Sequence, residues 1–144
     1  MIRTSRAVWR GDGLHGQGEL TTQSGALRDQ PYSFHTRFQR EDGRAGTNPE
    51  ELLAAAHAGC FAMAVSFALS EAGHAPLELR VTAGVDWVKA DTGFAIKTIG
   101  LELEARVAGL DDAQFQVIAG TAKKDCPLSK ALAATPITLT ARLT

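Results

Sequence analysis

The sequence predicts an α+β fold whose elements follow the order βββ-α-ββ-α-β. Two observations support this fold class. One long apolar segment is typical of a buried helix, and several other segments alternate apolar and polar residues as strands with one buried face do. The chain has 144 residues, which is the usual size of one domain, so we expect a single domain over 1–144.

The composition excludes several classes of partner. Hydrophobic residues make up 44% of the chain and charged residues 22%, as in globular proteins. A net charge of -1 offers no basic surface to nucleic acid or to an anionic membrane. The first residues lack the apolar stretch of a secretory leader, and the two cysteines are too few for a disulfide framework. We therefore expect a cytoplasmic protein.

The long helix is predicted over 49–72. Asn48 suits the N-cap and Pro49 the first helical position. Glu50 and Glu51 follow in the first turn, where the helix dipole favours acidic groups, and Glu51 has the spacing of a capping box.

This helix is apolar on every side over 52–69. The segment is rich in alanine and shorter than the ~20 residues that a bilayer span needs, so we interpret it as a core helix and expect no membrane partner. One sheet covers only one flank of such a helix, so a second sheet must cover the opposite flank. A second copy of the chain is the simplest way to provide that sheet. The sequence thus predicts a homodimer with antiparallel sheets wrapped around long central helices.

The remaining elements follow from periodicity. Alternation is clearest in three predicted strands, of which the first two are joined by ADTGF, a hairpin turn signal: 79–87, 98–107 and 137–143. Weaker alternation predicts three strands in the first third of the chain: 5–10, 17–23 and 31–38. In the last of these, Phe34 and Phe38 would share one face. Helices are predicted over 111–125 and 128–134.

Two cysteines are the first candidates for chemistry. Cys60 lies in the middle of the long helix, too far from its positive end to gain from the dipole. A thiol buried there alone would be inert, because burial raises the pKa of a thiol, and it would need a cation from another element. Cys126 stands before Pro127 and after Lys123 and Lys124, where exposure and nearby cations favour a thiolate. An incidental surface thiol is the alternative for Cys126.

His57 shares a helix face with Cys60 and could act as a base, although a hydrogen-bonded core histidine is the commoner arrangement. Four histidines without an H-E-x-x-H pattern predict no metal site. Arg37 is explained without a functional role as a solvated strand residue. Glu50 is likewise explained as an acidic residue in the first turn of the helix.

As a set, the segments QPYSFHTRF, TNPEELLAAAHAGCFAMAVSFAL and CPLSKAL resemble the osmotically inducible protein C / organic hydroperoxide resistance (OsmC/Ohr) family, and they look closer to the OsmC branch. The likeness extends along nearly the whole chain. It implies an intertwined homodimer and a cysteine-based peroxidase that needs no metal, flavin or nicotinamide cofactor.

The resemblance also implies roles for four residues. Cys60 corresponds to the peroxidatic cysteine and Cys126 to the resolving one, and Arg37 and Glu50 correspond to the family's arginine and glutamate. Two further arginines stand near Arg37 in the sequence, so the arginine that serves the thiolate stays open among three: Arg37, Arg40 and Arg44.

The expected reaction is reduction of organic hydroperoxides, and of hydrogen peroxide as a further candidate. Cys60 would become a sulfenic acid, Cys126 would condense with it to a disulfide, and an external dithiol of thioredoxin-like or dihydrolipoyl type would reduce that disulfide. Glu50 and Cys60 lie about 15 Å apart along one straight helix. If both residues belong to one site, either the partner chain supplies Glu50 or the chain is not helical at Glu50. We therefore predict a site at the dimer interface. There, Phe61 and Met63 of a neighbouring chain would favour organic substrates.

Two alternatives belong to other classes. An alanine-rich central helix wrapped by sheet also suits the acyl pocket of a thioesterase-like enzyme, whose activity would survive loss of both cysteines. In a non-enzymatic small-molecule binding module, replacement of Cys60 by serine would change nothing beyond stability.

Overall fold

The computed structural model describes residues 1–39, 44 and 46–144, which form two compact units, Met1–Leu52 and Leu53–Thr144. Each unit contains one three-stranded sheet. The mixed α+β class is confirmed, and a single domain stays a prediction.

The sheet of the first unit has the order β1-β2-β3 and is antiparallel throughout. Its strands are β1 (Ser5–Arg10), β2 (Gln17–Thr22) and β3 (Gln30–Ser33). Gly18 of β2 pairs with Trp9 on one side and Tyr32 on the other, and the two rings lie 5.5 Å apart above it. A Cβ atom at Gly18 would collide with the Tyr32 and Trp9 rings, so this ring contact requires glycine.

The strand predicted over 31–38 is wrong beyond Ser33. Helix α1 (Phe34–Phe38) replaces it, because Ser33 forms a capping box with Thr36. The Ser33 hydroxyl accepts from the Thr36 N–H at 3.2 Å, and the Ser33 N–H donates to the Thr36 hydroxyl at 2.9 Å. Phe34 and Phe38 still share a face, now as an i, i+4 pair with ring centroids 4.8 Å apart.

Helix α2 (Pro49–Glu71) begins where the sequence predicts. Asn48 is the N-cap, since its side-chain oxygen accepts from the Glu51 N–H at 2.8 Å. The Glu51 carboxylate accepts from the Thr47 hydroxyl at 2.8 Å, which differs from the expected capping-box bond to the Asn48 N–H. By length and composition α2 is the one helix of the described residues that could cross a membrane, and core helices of soluble proteins meet the same criterion.

One stripe of α2 is buried within the single chain. The buried residues recur every fourth position along one face: His57, Phe61, Val65 and Leu69. Met63 and Phe67 on another face are 63% and 65% exposed. The helix that is apolar all round therefore has an uncovered apolar flank, defined here by Met63 and Phe67.

The sheet of the second unit has the order β4-β5-β6. The strands β4 (Glu78–Ala90) and β5 (Gly93–Arg106) form the predicted antiparallel hairpin, and β6 (Ile137–Leu143) pairs with β5 in parallel. The expectation of purely antiparallel sheets is thus wrong for β6. Two helices, α3 (Asp112–Asp125) and α4 (Pro127–Ala131), connect β5 to β6, and a helical crossover of this kind returns the chain in the same direction.

The core of this unit lies among the buried stripe of α2, the inner faces of β4, β5 and β6, and α3. Phe61 and Phe115 are its largest fully buried side chains. Asp111 caps α3 by accepting from the Gln114 N–H at 2.9 Å. Helix α4 ends before the predicted limit of 134.

Candidate active site

The structure brings the four predicted site residues together in two pairs, one in each unit. Cys60 meets Cys126 in the second unit, and Arg37 meets Glu50 in the first.

The cysteine pair joins helix α2 to the junction between α3 and α4. The two sulfur atoms are hydrogen-bonded at 3.0 Å, and both residues are free thiols. A disulfide bond would be about 2.05 Å long, so the sulfur atoms need only a small approach to form one. The prediction of an exposed Cys126 is wrong: its side chain is fully buried in the core cluster, whereas Cys60 is partly exposed.

The two thiols differ in acidity. Burial raises the pKa of Cys60, and hydrogen bonding with Cys126 raises it further. Burial also acts to raise the pKa of Cys126, but interactions with Cys60, with the backbone N–H groups of Ser129 and Leu128 and with the Ser129 hydroxyl outweigh it and lower that pKa. Within this unit the negative charge of the pair is therefore favoured on Cys126, and a thiolate on Cys60 would need an additional cation nearby.

His57 is the hydrogen-bonded core histidine that its position favours. It is fully buried, and its Nε2 lies 2.8 Å from the Ser129 hydroxyl oxygen. Burial lowers the pKa of His57, so the ring is neutral at pH 7. Its Nδ1 is buried and has no hydrogen-bond partner among the described residues.

The arginine and the glutamate form a bidentate ion pair. The Arg37 Nη2 donates to Glu50 Oε1 at 2.6 Å, and Arg37 Nε lies 3.2 Å from both carboxylate oxygens. The Arg37 side chain is 37% exposed and that of Glu50 is 12% exposed. The Arg37 guanidinium also lies 4.8 Å from the centroid of the Phe38 ring. This geometry fixes the plane of the guanidinium, as a fork of two parallel contacts does.

The sequence offers two other arginines near this pair, Arg40 and Arg44. Arg44 is exposed. Arg40 lies outside the described residues. Arg37 forms an ion pair with the predicted glutamate, Glu50.

An aromatic pocket of about 90 Å³ adjoins Arg37 in the first unit. Its lining includes four aromatic side chains besides Arg37: Trp9, Tyr32, Phe34 and Phe38. The sequence predicted that Phe61 and Met63 would offer apolar surface to the substrate. Phe61 cannot do so, because it is fully buried in the core, whereas Met63 is exposed.

Sequence reasoning missed Ser129 and the aromatic pocket. Ser129 is 72 residues from its partner His57, and no local pattern announces a contact over that distance. The sequence did contain a signal for the pocket. In S-F-H-T, Ser33 and Thr36 have the spacing of a capping box, which predicts a helical turn with Phe34 and Phe38 on one face. No cluster of three metal-binding side chains of the His, Cys, Asp or Glu type occurs within the described part of the chain.

Comparison with known proteins gives consistent results. Residues 41–142 match a family model described as OsmC-like protein. Peroxiredoxin OsmC of Escherichia coli (strain K12) is 48% identical over 132 residues, which cover 92% of this chain and 90% of that protein. Organic hydroperoxide resistance protein OhrB of Bacillus subtilis (strain 168) is 29% identical over 79% of this chain and 80% of its own. The crystal structure of Bacillus subtilis OhrB superposes with a TM-score of 0.68 at 27% identity and covers 98% of both chains.

Proposed function

This chain belongs to the OsmC-like protein family and is a cysteine-based peroxidase, and on that premise we propose that Cys60 is the thiol that attacks the peroxide and Cys126 the thiol that resolves it. The distance of 3.0 Å between their sulfur atoms carries the proposal. A sulfenic acid on the partly exposed Cys60 would form beside a buried thiol of lowered pKa.

The reaction proceeds in three steps that balance in atoms and electrons. The Cys60 thiolate attacks one oxygen of the hydroperoxide, the O–O bond breaks, and the departing alkoxide takes a proton to become an alcohol. The Cys126 thiolate then attacks the sulfur of the Cys60 sulfenic acid, and hydroxide departs as water after gaining a proton. An external dithiol finally reduces the disulfide and is itself oxidised.

Arg37 is the cation that Cys60 needs. The pKa of Cys60 is raised by burial and by its thiol neighbour, so a guanidinium beside the sulfur would favour the thiolate and could donate a hydrogen bond to the peroxide. Glu50 orients that guanidinium through the bidentate pair. Since Glu50 and Cys60 are separated by about 15 Å along α2, we assign Arg37 and Glu50 of one subunit to the Cys60 of its partner.

A homodimer supplies this arrangement and covers α2. Only 22% of the most apolar stretch of that helix is buried within one chain. The uncovered flank with Met63 and Phe67 is large and apolar, and a second copy of the same helix would bury it in a two-fold interface. This interface, rather than a lipid bilayer, is the proposed environment of the flank.

The substrate is an organic hydroperoxide. The aromatic pocket next to Arg37 offers apolar surface to an organic substituent, which hydrogen peroxide lacks. The name of the Bacillus subtilis relative, an organic hydroperoxide resistance protein, is consistent with this choice. The reductant is a thioredoxin-like or dihydrolipoyl dithiol, which a reducing compartment such as the cytoplasm provides.

Turnover of cumene hydroperoxide with a dithiol donor tests the assignment of the cysteines. We expect Cys60→Ser to abolish turnover and Cys126→Ser to allow oxidation of Cys60 without formation of an intramolecular disulfide. Ser70→Ala, at an exposed position of the same helix, is the matched control. A thioesterase-like enzyme or a binding module would be indifferent to Cys60, so full turnover in Cys60→Ser would refute the proposal.

Subunit mixing tests the assignment of Arg37 to the partner chain. Cys60→Ser and Arg37→Met homodimers should each be inactive. In a mixed dimer, the intact Cys60 of one chain would meet the intact Arg37 of the other. Random exchange in a two-fold dimer should then restore about a quarter of the wild-type activity. If each site is built within one chain, mixing restores nothing, and the shared-site proposal fails.

A further inference from the structure

Helix α1, which carries Arg37, is a single helical turn whose residues are all at least partly exposed. It has five residues, fewer than the ~12–15 that an isolated helix needs in water, and none of them is buried. The ion pair with Glu50 is 37% exposed on the arginine side, and exposed pairs contribute little free energy by themselves. Other contacts of α1 are therefore needed to hold Arg37 in place.

Thr36 makes such a contact with the segment that leads into α2. Its hydroxyl accepts from the Ser33 N–H at 2.9 Å and shares its own proton between two carbonyl oxygens, that of Ser33 at 3.1 Å and that of Thr47 at 3.3 Å. The two bonds with Ser33 belong to the cap of α1. The bond to Thr47 reaches a residue eleven positions further along the chain, so the same side chain also joins α1 to the start of α2.

The backbone just before Thr47 packs closely against Thr36. Gly46 has a φ of +92°, and a Cβ atom there would lie 3.3 Å from the Thr36 methyl carbon, which is tighter than an ordinary van der Waals contact. Glycine meets both demands, because it adopts positive φ freely and has no side chain. This contact is independent of the hydrogen bond and places α1 against the same segment.

Thr47 continues the connection into α2. The residue is 7% exposed, and its hydroxyl donates to the Glu51 carboxylate at 2.8 Å. Glu51 stands next to Glu50 in the first turn of α2. Thr36 and Thr47 thus form a path of hydrogen bonds from α1 to the turn that holds Glu50, which we call the threonine bridge.

On the basis of the proposed function, in which Arg37 serves the thiolate, we propose that Thr36 and Thr47 are positioning residues for Arg37. The Thr36 hydroxyl holds α1 against the segment before α2, and the Thr47 hydroxyl holds that segment to the first turn of α2. Arg37 and Glu50 then meet with the guanidinium already oriented, although their ion pair is partly exposed.

Stopped-flow oxidation of the reduced protein by cumene hydroperoxide tests the threonine bridge. Thr36→Val keeps the shape of the side chain and removes its hydroxyl, and we expect it to lower the rate constant for oxidation of Cys60 about fivefold, the loss that corresponds to one hydrogen bond. Thr36→Ser keeps the hydroxyl and should keep the rate constant. Ser33→Ala is the matched control, because it removes the other hydroxyl of the capping box and leaves the bond to Thr47 in place. It should lower stability and keep the rate constant.

The same substitution in an Arg37→Met background separates positioning from general destabilisation. If Thr36 acts through the guanidinium, Thr36→Val should slow the Arg37→Met protein no further, because the group that it positions is already absent. A purely structural defect would instead slow both backgrounds by the same factor.

Thr47 provides a second, independent pair of variants. Thr47→Val removes the donor to Glu51 and should lower the rate constant in the same direction, whereas Thr47→Ser keeps the donor and should restore the rate constant. Both variants retain the carbonyl that accepts from Thr36. This pair decides the question if Thr36→Val does not fold.

The outcomes separate the inference from the proposed function. If Arg37→Met is oxidised as fast as the wild type, the role proposed for Arg37 is refuted, and that of the threonine bridge with it. If Arg37→Met is slow but Thr36→Val and Thr47→Val react like the wild type, the positioning role alone is refuted. The same holds if Thr36→Val is no slower than Ser33→Ala, or if it slows both backgrounds equally.

Discussion

Glu50→Gln isolates what the glutamate contributes to the orientation of Arg37. The change keeps the size of the side chain and removes its charge, so it weakens the bidentate pair that includes the 2.6 Å contact. Hydrogen bonds to charged groups contribute about 1.5–3 kcal/mol. Because the Arg37 side chain is 37% exposed, we take the lower value, about 1.5 kcal/mol.

If this free energy serves to hold Arg37 at the Cys60 sulfur, the rate constant for oxidation of Cys60 by cumene hydroperoxide should fall about tenfold, since about 1.4 kcal/mol corresponds to a factor of ten. The assay is stopped-flow oxidation of the reduced protein under pseudo-first-order conditions. Far-UV circular dichroism and the urea midpoint report whether the fold is retained.

Glu51→Gln is the matched control, because it removes a charge from the same turn of α2 and leaves an oxygen to accept from the Thr47 hydroxyl. Both variants lose the same favourable interaction with the helix dipole. Equal rate constants in Glu50→Gln and the wild type, or an equal loss in both glutamine variants, would show that the ion pair does not orient Arg37 for catalysis.

Three further predictions concern stability and specificity. Asn48→Ala should lower the free energy of unfolding by about 1 kcal/mol in urea titrations while Asn48→Ser restores it, because Asn48 caps α2 through the Glu51 N–H; equal losses in both would contradict the capping role. Burial lowers the pKa of His57, so the unfolded chain binds a proton more readily, and stability should fall as the pH drops below about 6.5. His57→Gln should flatten this dependence between pH 7.5 and 5.5, and an unchanged slope would contradict it. Phe34→Ala should lower kcat/KM for cumene hydroperoxide about fivefold and leave that for hydrogen peroxide unchanged, since Phe34 lines the aromatic pocket; an equal loss with both peroxides would contradict a role in substrate choice.

The elements that sequence reasoning placed correctly are those in which pattern and burial agree. Strands β4 and β5 alternate because one face packs on the core, and α2 begins at a capped proline. The segment 34–38 was wrongly predicted as a strand because Phe34, Thr36 and Phe38 alternate with polar residues. The hydrogen bonds between Ser33 and Thr36 favour a helical turn there instead. The parallel pairing of β6 was not predicted, since alternation identifies a strand but not its neighbour.

The predicted site residues depended on the family resemblance more than on physical pattern. Spacing alone could not show that Cys60 and Cys126 meet, because they are 66 residues apart, and the proline after Cys126 suggested exposure where the structure shows full burial. The pair of Arg37 and Glu50 likewise joins a helix to another helix across a loop. Contacts of this kind are determined by tertiary packing, and no local pattern in a single sequence predicts them.

In the proposed cycle, the unequal burial of the two sulfur atoms sets the order in which bonds break when the Cys60–Cys126 disulfide is reduced. An incoming thiolate can approach Cys60, which is partly exposed, and not Cys126, which is fully buried. The mixed disulfide therefore forms on Cys60, and Cys126 is the leaving group. The contacts that lower the pKa of Cys126 also make it depart faster, because a more acidic thiol is a better leaving group. A reductant with a single cysteine should accordingly be trapped on helix α2, at Cys60.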